Sequence, residues 1–126
     1  MLEELSAKVR SGEINPIDLV NESLRRIEAA RPLNAVVAVY ADEARSLATS
    51  HPRTGALAGL PFLVKDMARV KGHVTTSGSM LYANGTADEV DDSVVSRLRE
   101  AGAIIIGRSN SPEFGATAYT TNKVYG

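Results

Sequence analysis

Hydrophobic positions along the first half of the chain recur at helical spacing. Leu2, Leu5 and Val9 share one stripe, and Gly12 supplies a stop. A stronger helix is predicted next, with Asn15 as cap, Pro16 at the first helical position and Asp18 in the first turn. Ile17, Val20, Leu24 and Ile27 carry its apolar face, and the Arg31-Pro32 pair closes it. Residues 35–40, AVVAVY, are short and β-branched and read as a strand; 42–48, DEARSLA, read as a helix, and 51–55, HPRTG, as a surface loop.

The second half switches period. Residues 60–64 read as a strand, followed by a long connection over 71–90, rich in Gly, Ser and Thr, with one helical turn expected near Met80 to Tyr82. Asp91 or Asp92 is expected to cap a helix carrying Val94, Val95 and Leu98, which Gly102 ends. Residues 103–107, AIIIG, are uninterrupted and β-branched, as a strand buried on both faces would be. In SNSPEFG, Ser111 is the expected cap and Pro112 the first residue of a further helix. The tail AYTTNKVYG carries no stop signal and reads as cut off. Neither an internal repeat nor a low-complexity segment is visible.

Strand, helix and buried strand in that order predict a right-handed parallel crossover. Ligands of open parallel sheets bind beyond the carboxyl ends of the strands. Lys65 and Asp66 stand at that end of the first strand, and Arg108, Ser109 and Asn110 at that end of the second. The Thr75 to Ser79 loop leaves from the same edge, so three polar segments are expected on one rim. Lys65 is the oddity among them. The run LPFLVKD reads as a buried strand that ends in an ammonium, and burying an ammonium is expensive unless it is paired or neutralised.

Composition narrows the choices. The 126 residues, 44% hydrophobic and 23% charged, fit one soluble globular domain. Fourteen basic against fifteen acidic side chains leave a formal net charge of −1, which gives no electrostatic case for nucleic acid or an anionic membrane. With no cysteine, disulfide scaffolds, thiolate catalysis and cysteine-bound zinc are excluded. His51 and His73 sit in loop-like contexts without ligand spacing, so neither metal nor other cofactor is expected. MLEELSAKVRSGE is no signal peptide, and no apolar run approaches the roughly 20 residues that span a bilayer. A cytoplasmic location is expected. No G-x-G-x-x-G or Walker-type G-K-[ST] supports nucleotide binding.

Each candidate also has an ordinary reading. A strand-end lysine commonly snorkels to water, a TTSGS loop is commonly a plain turn, and SNSP commonly caps a helix. The same TTSGS loop could hold an anion through backbone amides, although Asp91 and Asp92 argue against an anion at the following helix.

Five stretches in order change the weighting: GALAGLPFLVKDMARVKG, then HVTTSGS, then DDSVVSRLRE, then AGAIIIGRSNSPEFG, then TTNKVYG. They resemble the amidase signature family, where G-[IV]-P-x-x-[IV]-K-D, T-T-x-G-S, D-x-x-V-V-x-R-L, A-G-A-x-x-x-G-[KR]-[TS]-N-x-x-E-F and T-x-N-x-x-[FY]-G follow one another. VRSGEINPIDLVNESLRRIE and LNAVVAV resemble the family's opening helices and first strand, so the likeness covers nearly the whole chain.

The resemblance implies an α/β fold, the amino-terminal part of the amidase signature fold, with helices packed on a central mixed β-sheet and incomplete. Residues 1–126 would form the amino-terminal portion of a single amidase domain, a helical start over 1–50 and a β-α-β lysine region over 55–126. It further implies a Ser-cisSer-Lys triad, in which Lys65 matches the lysine. The two serines belong to a Gly/Ser-rich segment expected beyond residue 126, and Ser77 and Ser79 match only the T-T-x-G-S loop. Ser77, Gly78 and Ser79 are the substrate-binding candidates, and Asp66, Asn110 and Asn122 the structural support. Asp66 is expected to point away from Lys65, because a carboxylate beside the amine would hold it as ammonium.

The implied activity is hydrolysis of a carboxylic amide through an acyl-serine. The expected partners are a small-molecule amide and the remainder of the domain, with a homodimer of the full-length protein left open. The A subunit of a glutamyl-tRNA(Gln) amidotransferase is the alternative within the family. Met67 after Lys65-Asp66 and the compact GATAYTTN stretch favour the stand-alone amidase. A non-catalytic α/β anion-binding module is the alternative outside it.

Overall fold

The computed structural model describes residues 1–50 and 52–126, so His51 and its part in the predicted loop lie outside the described residues. Helix α1 (Leu2–Ser11) buries Val9 and ends at Gly12, whose φ of 82° is left-handed and whose N–H donates to Val9 O. Helix α2 (Pro16–Ala29) starts as its sequence demands: Asn15 Oδ1 accepts from the Ile17 N–H, and Val20 is buried. A single 3-10 turn over Arg31–Leu33 leads into β1 (Val36–Val39), then α3 (Ala41–Ser50). Strand β2 (Pro61–Lys65), α4 (Ser93–Glu100) and β3 (Ile104–Ser109) complete the crossover.

The strands form one sheet in the order β1-β3-β2, with β2 parallel and β1 antiparallel to β3. The mixed sheet is therefore present, and β3 is the strand buried on both faces. Val20, Ala44, Ala48, Ile104 and Ile106 pack together on the α2/α3 side. Val64, Val70, Val95 and Ile105 pack on the α4 side. One irregularity matters for the site. Phe62 pairs with Ile105 but Leu63 pairs with Gly107, so β3 carries one extra residue. The shift sets Arg108 beside Val64, on the α4 side, and Ser109 beside Lys65.

Three expectations change. β2 is an edge of this sheet rather than a buried strand: Leu63 and Lys65 are exposed and only Val64 is buried. No helix follows Ser111. Pro112 has extended ψ (157°), and Phe114 at φ 51° breaks any helix, leaving a 3-10 turn over Glu113–Gly115. Ser111 Oγ donates to Pro112 O instead of capping. Near Met80 to Tyr82 the chain makes successive turns, Ser79 N–H to Thr76 O and Tyr82 N–H to Ser79 O, not a helix. Among the described residues no helix is long and apolar enough to cross a membrane.

Candidate active site

Lys65 is the last residue of β2. Its carbonyl accepts from the N–H groups of Met67 and Ala68, so the chain turns as soon as the lysine has been placed. The adjacent Asp66 N–H donates to Ser109 O at 3.0 Å, which fixes the lysine at the carboxyl ends of both parallel strands. The Lys65 side chain is exposed on the same strand face as Leu63, and no ion pair among the described residues reaches it.

Asp66 goes the other way. It is fully buried, and its carboxylate accepts from the Thr76 N–H at 3.0 Å and from the Thr76 hydroxyl. Arg108, 1% exposed, lies beside it with Nη1 3.5 Å from Asp66 Oδ1. The same Nη1 donates to Ala68 O at 2.8 Å, while Nη2 donates to Thr75 Oγ1 at 2.7 Å and lies 3.6 Å from Asp88 Oδ2. Thr75 Oγ1 in turn donates to Asp88. A buried guanidinium thus sits between two carboxylates and the Thr75 hydroxyl. Only Arg108 Nε and the nearby Tyr40 hydroxyl are buried without a hydrogen-bond partner among the described residues. Burial pushes the Tyr40 phenol above its ordinary pKa, and the positive charge of Arg108 opposes this. Tyr40 also stacks on His73, with ring centroids 3.6 Å apart, and His73 Nε2 lies 2.9 Å from Glu43 Oε2.

The loop after Thr75 is locked to the segment after β3. Ser77 (φ 52°) and Gly78 (φ 65°) are both left-handed. A Cβ on Gly78 would stand 2.6 Å from Ser111 O, so glycine is required by contact as well as by conformation. The Gly78 N–H donates to Thr76 Oγ1, Ser79 Oγ donates to Glu113 Oε1 at 2.8 Å, and the Phe114 N–H donates to Ser77 O at 2.9 Å. Gly78 and Ser79 are buried with their polar groups engaged, whereas Ser77 is half-buried.

Asn110 and Asn122 meet each other. Asn122 Nδ2 donates to Asn110 Oδ1 (2.8 Å) and Ser111 O (2.7 Å), while its Oδ1 accepts from the N–H groups of Val124 and Tyr125. Asn110 Nδ2 donates to Asn34 O at 3.1 Å. The pair staples residues 122–126 to the end of β3. A recess of about 390 Å³, lined by Asn34, Ser109, Asn110, Thr120 and Gly126 among others, opens there. Asp92 occupies the N-cap position of α4, but its carboxylate accepts from the Arg69 N–H and Nε, which hold it below the usual carboxylate range. Asp91 likewise accepts from the Lys71 N–H and pairs with Arg99, so both acids close the crossover instead of capping the helix.

The predicted rim is thus assembled: Lys65, Asp66, the 75–79 loop, Ser109 and Asn110 all lie at the carboxyl ends of β2 and β3. Arg108, Thr76, Asp88 and Glu113 were not singled out as site residues. For Arg108 a signal existed, a charged residue directly after the buried run AIIIG. No group of three or more potential metal ligands occurs among the described residues.

With this geometry in hand, the relatives can be placed. The family profile described as Amidase matches residues 18–126. Over 131 aligned residues the chain is 37% identical to the A subunit of glutamyl-tRNA(Gln) amidotransferase from Burkholderia mallei (strain SAVP1), covering 99% of this chain and 26% of that protein. It therefore spans about a quarter of that relative's length. A bacterial aryl acylamidase of the amidase signature enzymes superimposes with a TM-score of 0.86 at 31% identity, covering 95% of this chain and 27% of that one. The 6-aminohexanoate cyclic dimer hydrolase complexed with substrate superimposes at 0.87 with 28% identity, covering 99% and 26%.

Proposed function

The chain belongs to the amidase signature family, and on that premise we propose that it supplies the proton-accepting part of an enzyme that hydrolyses a carboxylic amide to an acid and ammonia or an amine. Lys65 acts as the base. A serine nucleophile, expected outside these residues, passes its proton through a bridging serine to the Lys65 amine, attacks the amide carbonyl and forms an acyl-serine. Water then releases the acid. A lysine accepts a proton only when neutral, and the exposed rim around Lys65 becomes desolvated once further parts of the domain close over it, which disfavours the ammonium.

The observation that supports this most directly is the separation of Lys65 from Asp66. The carboxylate next in sequence is buried and consumed by Thr76 and Arg108, so it does not hold the lysine as an ammonium. The Thr76–Ser79 loop and the Asn110–Asn122 pair serve as the support of the site, with the half-buried Ser77 as the substrate-side hydroxyl. A cytoplasmic enzyme, with a homodimer as its assembly, fits this reading.

A second reading is favoured by the 37% identity to the A subunit of an amidotransferase: the whole protein would act with glutamyl-tRNA(Gln). Met67 and the short stretch over residues 115–122 favour the stand-alone amidase. An assay of the full-length protein separates the two. Release of acid from simple aryl or aliphatic amides without tRNA supports the amidase; turnover only with glutamyl-tRNA(Gln) supports the second reading. Lys65→Met in that protein should lower kcat/KM by about 10³-fold or more while leaving the fold intact, because methionine keeps the unbranched apolar stem of the lysine. Near-normal hydrolysis by the variant removes Lys65 from the mechanism.

A further inference from the structure

Arg108 is the largest fully buried side chain among the described residues. Burying a guanidinium entails several kcal/mol of desolvation, which neighbouring charges offset only with good geometry. A methionine or leucine would fill the same space beside Val64 without that penalty. The residue's partners suggest why a cation stands there. One lies immediately after Lys65 in sequence, and the others, Ala68, Thr75 and Asp88, belong to the turn after β2 and the connection that follows it.

We propose that Arg108 is a positioning residue for Lys65: it neutralises Asp66 on the α4 side of the sheet, leaving the lysine on the other side without a carboxylate partner, and it ties the Thr75–Ser79 loop to the same rim. This rests on the reading of Lys65 as the base. The geometry has two parts. Nη1 stands 3.5 Å from Asp66 Oδ1 and Nη2 3.6 Å from Asp88 Oδ2, so one cation is set between two buried or half-buried acids. Nη2 also donates to Thr75 Oγ1, and Asp66 binds the Thr76 N–H and hydroxyl, so the loop is held from both ends of the ion pair. Thr76 Oγ1 passes the constraint to the Gly78 N–H.

The other charges around Lys65 are already engaged. Arg69, beyond the turn, is held by Asp92 at 2.8 Å. Glu113, in the segment after β3, accepts from Ser79. β1 carries no ionisable group. Helix α2, which packs against β2, brings an exposed Asp18 and Glu22, the latter bound to Arg25 and Arg26. Asp66 and Arg108 are therefore the pair whose imbalance would be felt at the lysine.

The test uses the full-length protein and the pH dependence of kcat/KM on a simple amide. Arg108→Met leaves Asp66 unbalanced, so the Lys65 ammonium is favoured and the acid-side limb of the profile moves up by on the order of one pH unit. Asp66→Asn removes one of the two carboxylates and leaves the guanidinium to Asp88 alone, and the limb moves down. The double variant removes one charge of each sign, restores the wild-type net charge of the cluster and returns the limb close to wild type. A residue that only stabilised the fold would lower the melting temperature and the amount of active enzyme in all three variants, with the limb unmoved. If Arg108→Met does not fold, the downward shift in Asp66→Asn carries the test alone, and an unmoved limb there overturns the proposal. Failure of the underlying reading looks different: Lys65→Met would then retain turnover, whatever Arg108 does.

Discussion

The two halves of β3 solve opposite problems within six residues. Ile104, Ile105 and Ile106 are buried by apolar contact alone, Ile104 and Ile106 against α2 and α3 and Ile105 against Val64, Val70 and Val95. Gly107, Arg108 and Ser109 follow. Arg108 is as deeply buried as the isoleucines, but by two carboxylates and a threonine hydroxyl. The first half gains from leaving water, while the second half pays for leaving it. A strand that changes its chemistry so abruptly is stabilised at one end and specialised at the other. The extra residue in β3, Ile106, opposite the step from Phe62 to Leu63, marks the change, because it puts Arg108 and Ser109 in register with Val64 and Lys65.

The comparison breaks most severely if the polar end works by itself. Acyl transfer needs a nucleophile, a base and donors for the oxyanion, and removing the nucleophile from a serine enzyme lowers the rate by about 10⁶-fold. Residues 1–126 carry the proposed base, Lys65, while Ser79, the buried hydroxyl of the loop, is committed to Glu113. Purified alone and incubated with aryl and aliphatic amides, this span is expected to release no ammonia or amine above buffer. Turnover that Lys65→Ala abolishes would show that a serine within these residues is the nucleophile.

The apolar half should answer to volume and not to chemistry. Ile106→Ala in the full-length protein is expected to cost about 2–5 kcal/mol of stability, the range for deleting a buried aliphatic side chain. The activity of the molecules that remain folded should be unchanged. Gly107, at the boundary, offers a second handle. A Cβ there would stand 2.2 Å from Ala38 O, so Gly107→Ala must push β1 away from β3. Overpacking of this kind costs about 1–3 kcal/mol. Urea unfolding read together with kcat separates the two halves. A large loss of kcat in folded Ile106→Ala would mean that packing and site are not distinct.

This division also explains what could be read without coordinates. The isoleucine run, the α2 cap at Asn15 and the placement of Lys65 and Asn110 at the same end of the two parallel strands all depend on local pattern or on the parallel crossover, and each is present. Arg108 was visible as a charge after a buried run, but its partners were not. Asp66, Thr75 and Asp88 are separated from it by 42, 33 and 20 positions (108 − 66, 108 − 75 and 108 − 88), distances over which periodicity carries no information. The helix expected after Ser111 failed for a related reason. A Ser-Pro pair suits a helix start, yet Phe114 is drawn into left-handed geometry as its N–H reaches Ser77 O across the loop. Similarly, the apolar composition of β2 reads as burial, while having a neighbour on only one side leaves Leu63 in solvent.

The smallest expected effect sharpens the same contrast, now between a carboxylate bound within one helix and one that bridges two elements. Two carboxyls are held below their ordinary range. Glu22 is lowered to about 2, first by its hydrogen bond to Arg25 and then by that to Arg26, within one turn of the exposed α2 surface. Asp92 is lowered by the Arg69 N–H and then by the Arg69 side chain, and it joins the turn after β2 to the start of α4. A depressed folded pKa stabilises above the unfolded value near 4, and that contribution is lost as pH falls through the folded pKa. Both groups therefore favour the fold at neutral pH and cease to do so in acid. They should differ in what is released. Protonating Glu22 frees two arginines of the same helix, whereas protonating Asp92 unties Arg69 from α4 and loosens the turn that follows Lys65. In hydrogen exchange, Asp92→Asn should raise exchange at the Arg69 amide at neutral pH, while Glu22→Gln leaves that amide unchanged. Melting temperatures at pH 6 should fall slightly more for Asp92→Asn, because its bonds cross between elements and those of Glu22 stay within one helix. Equal protection at Arg69 in the two variants would show that Asp92 is a surface charge and no part of the rim.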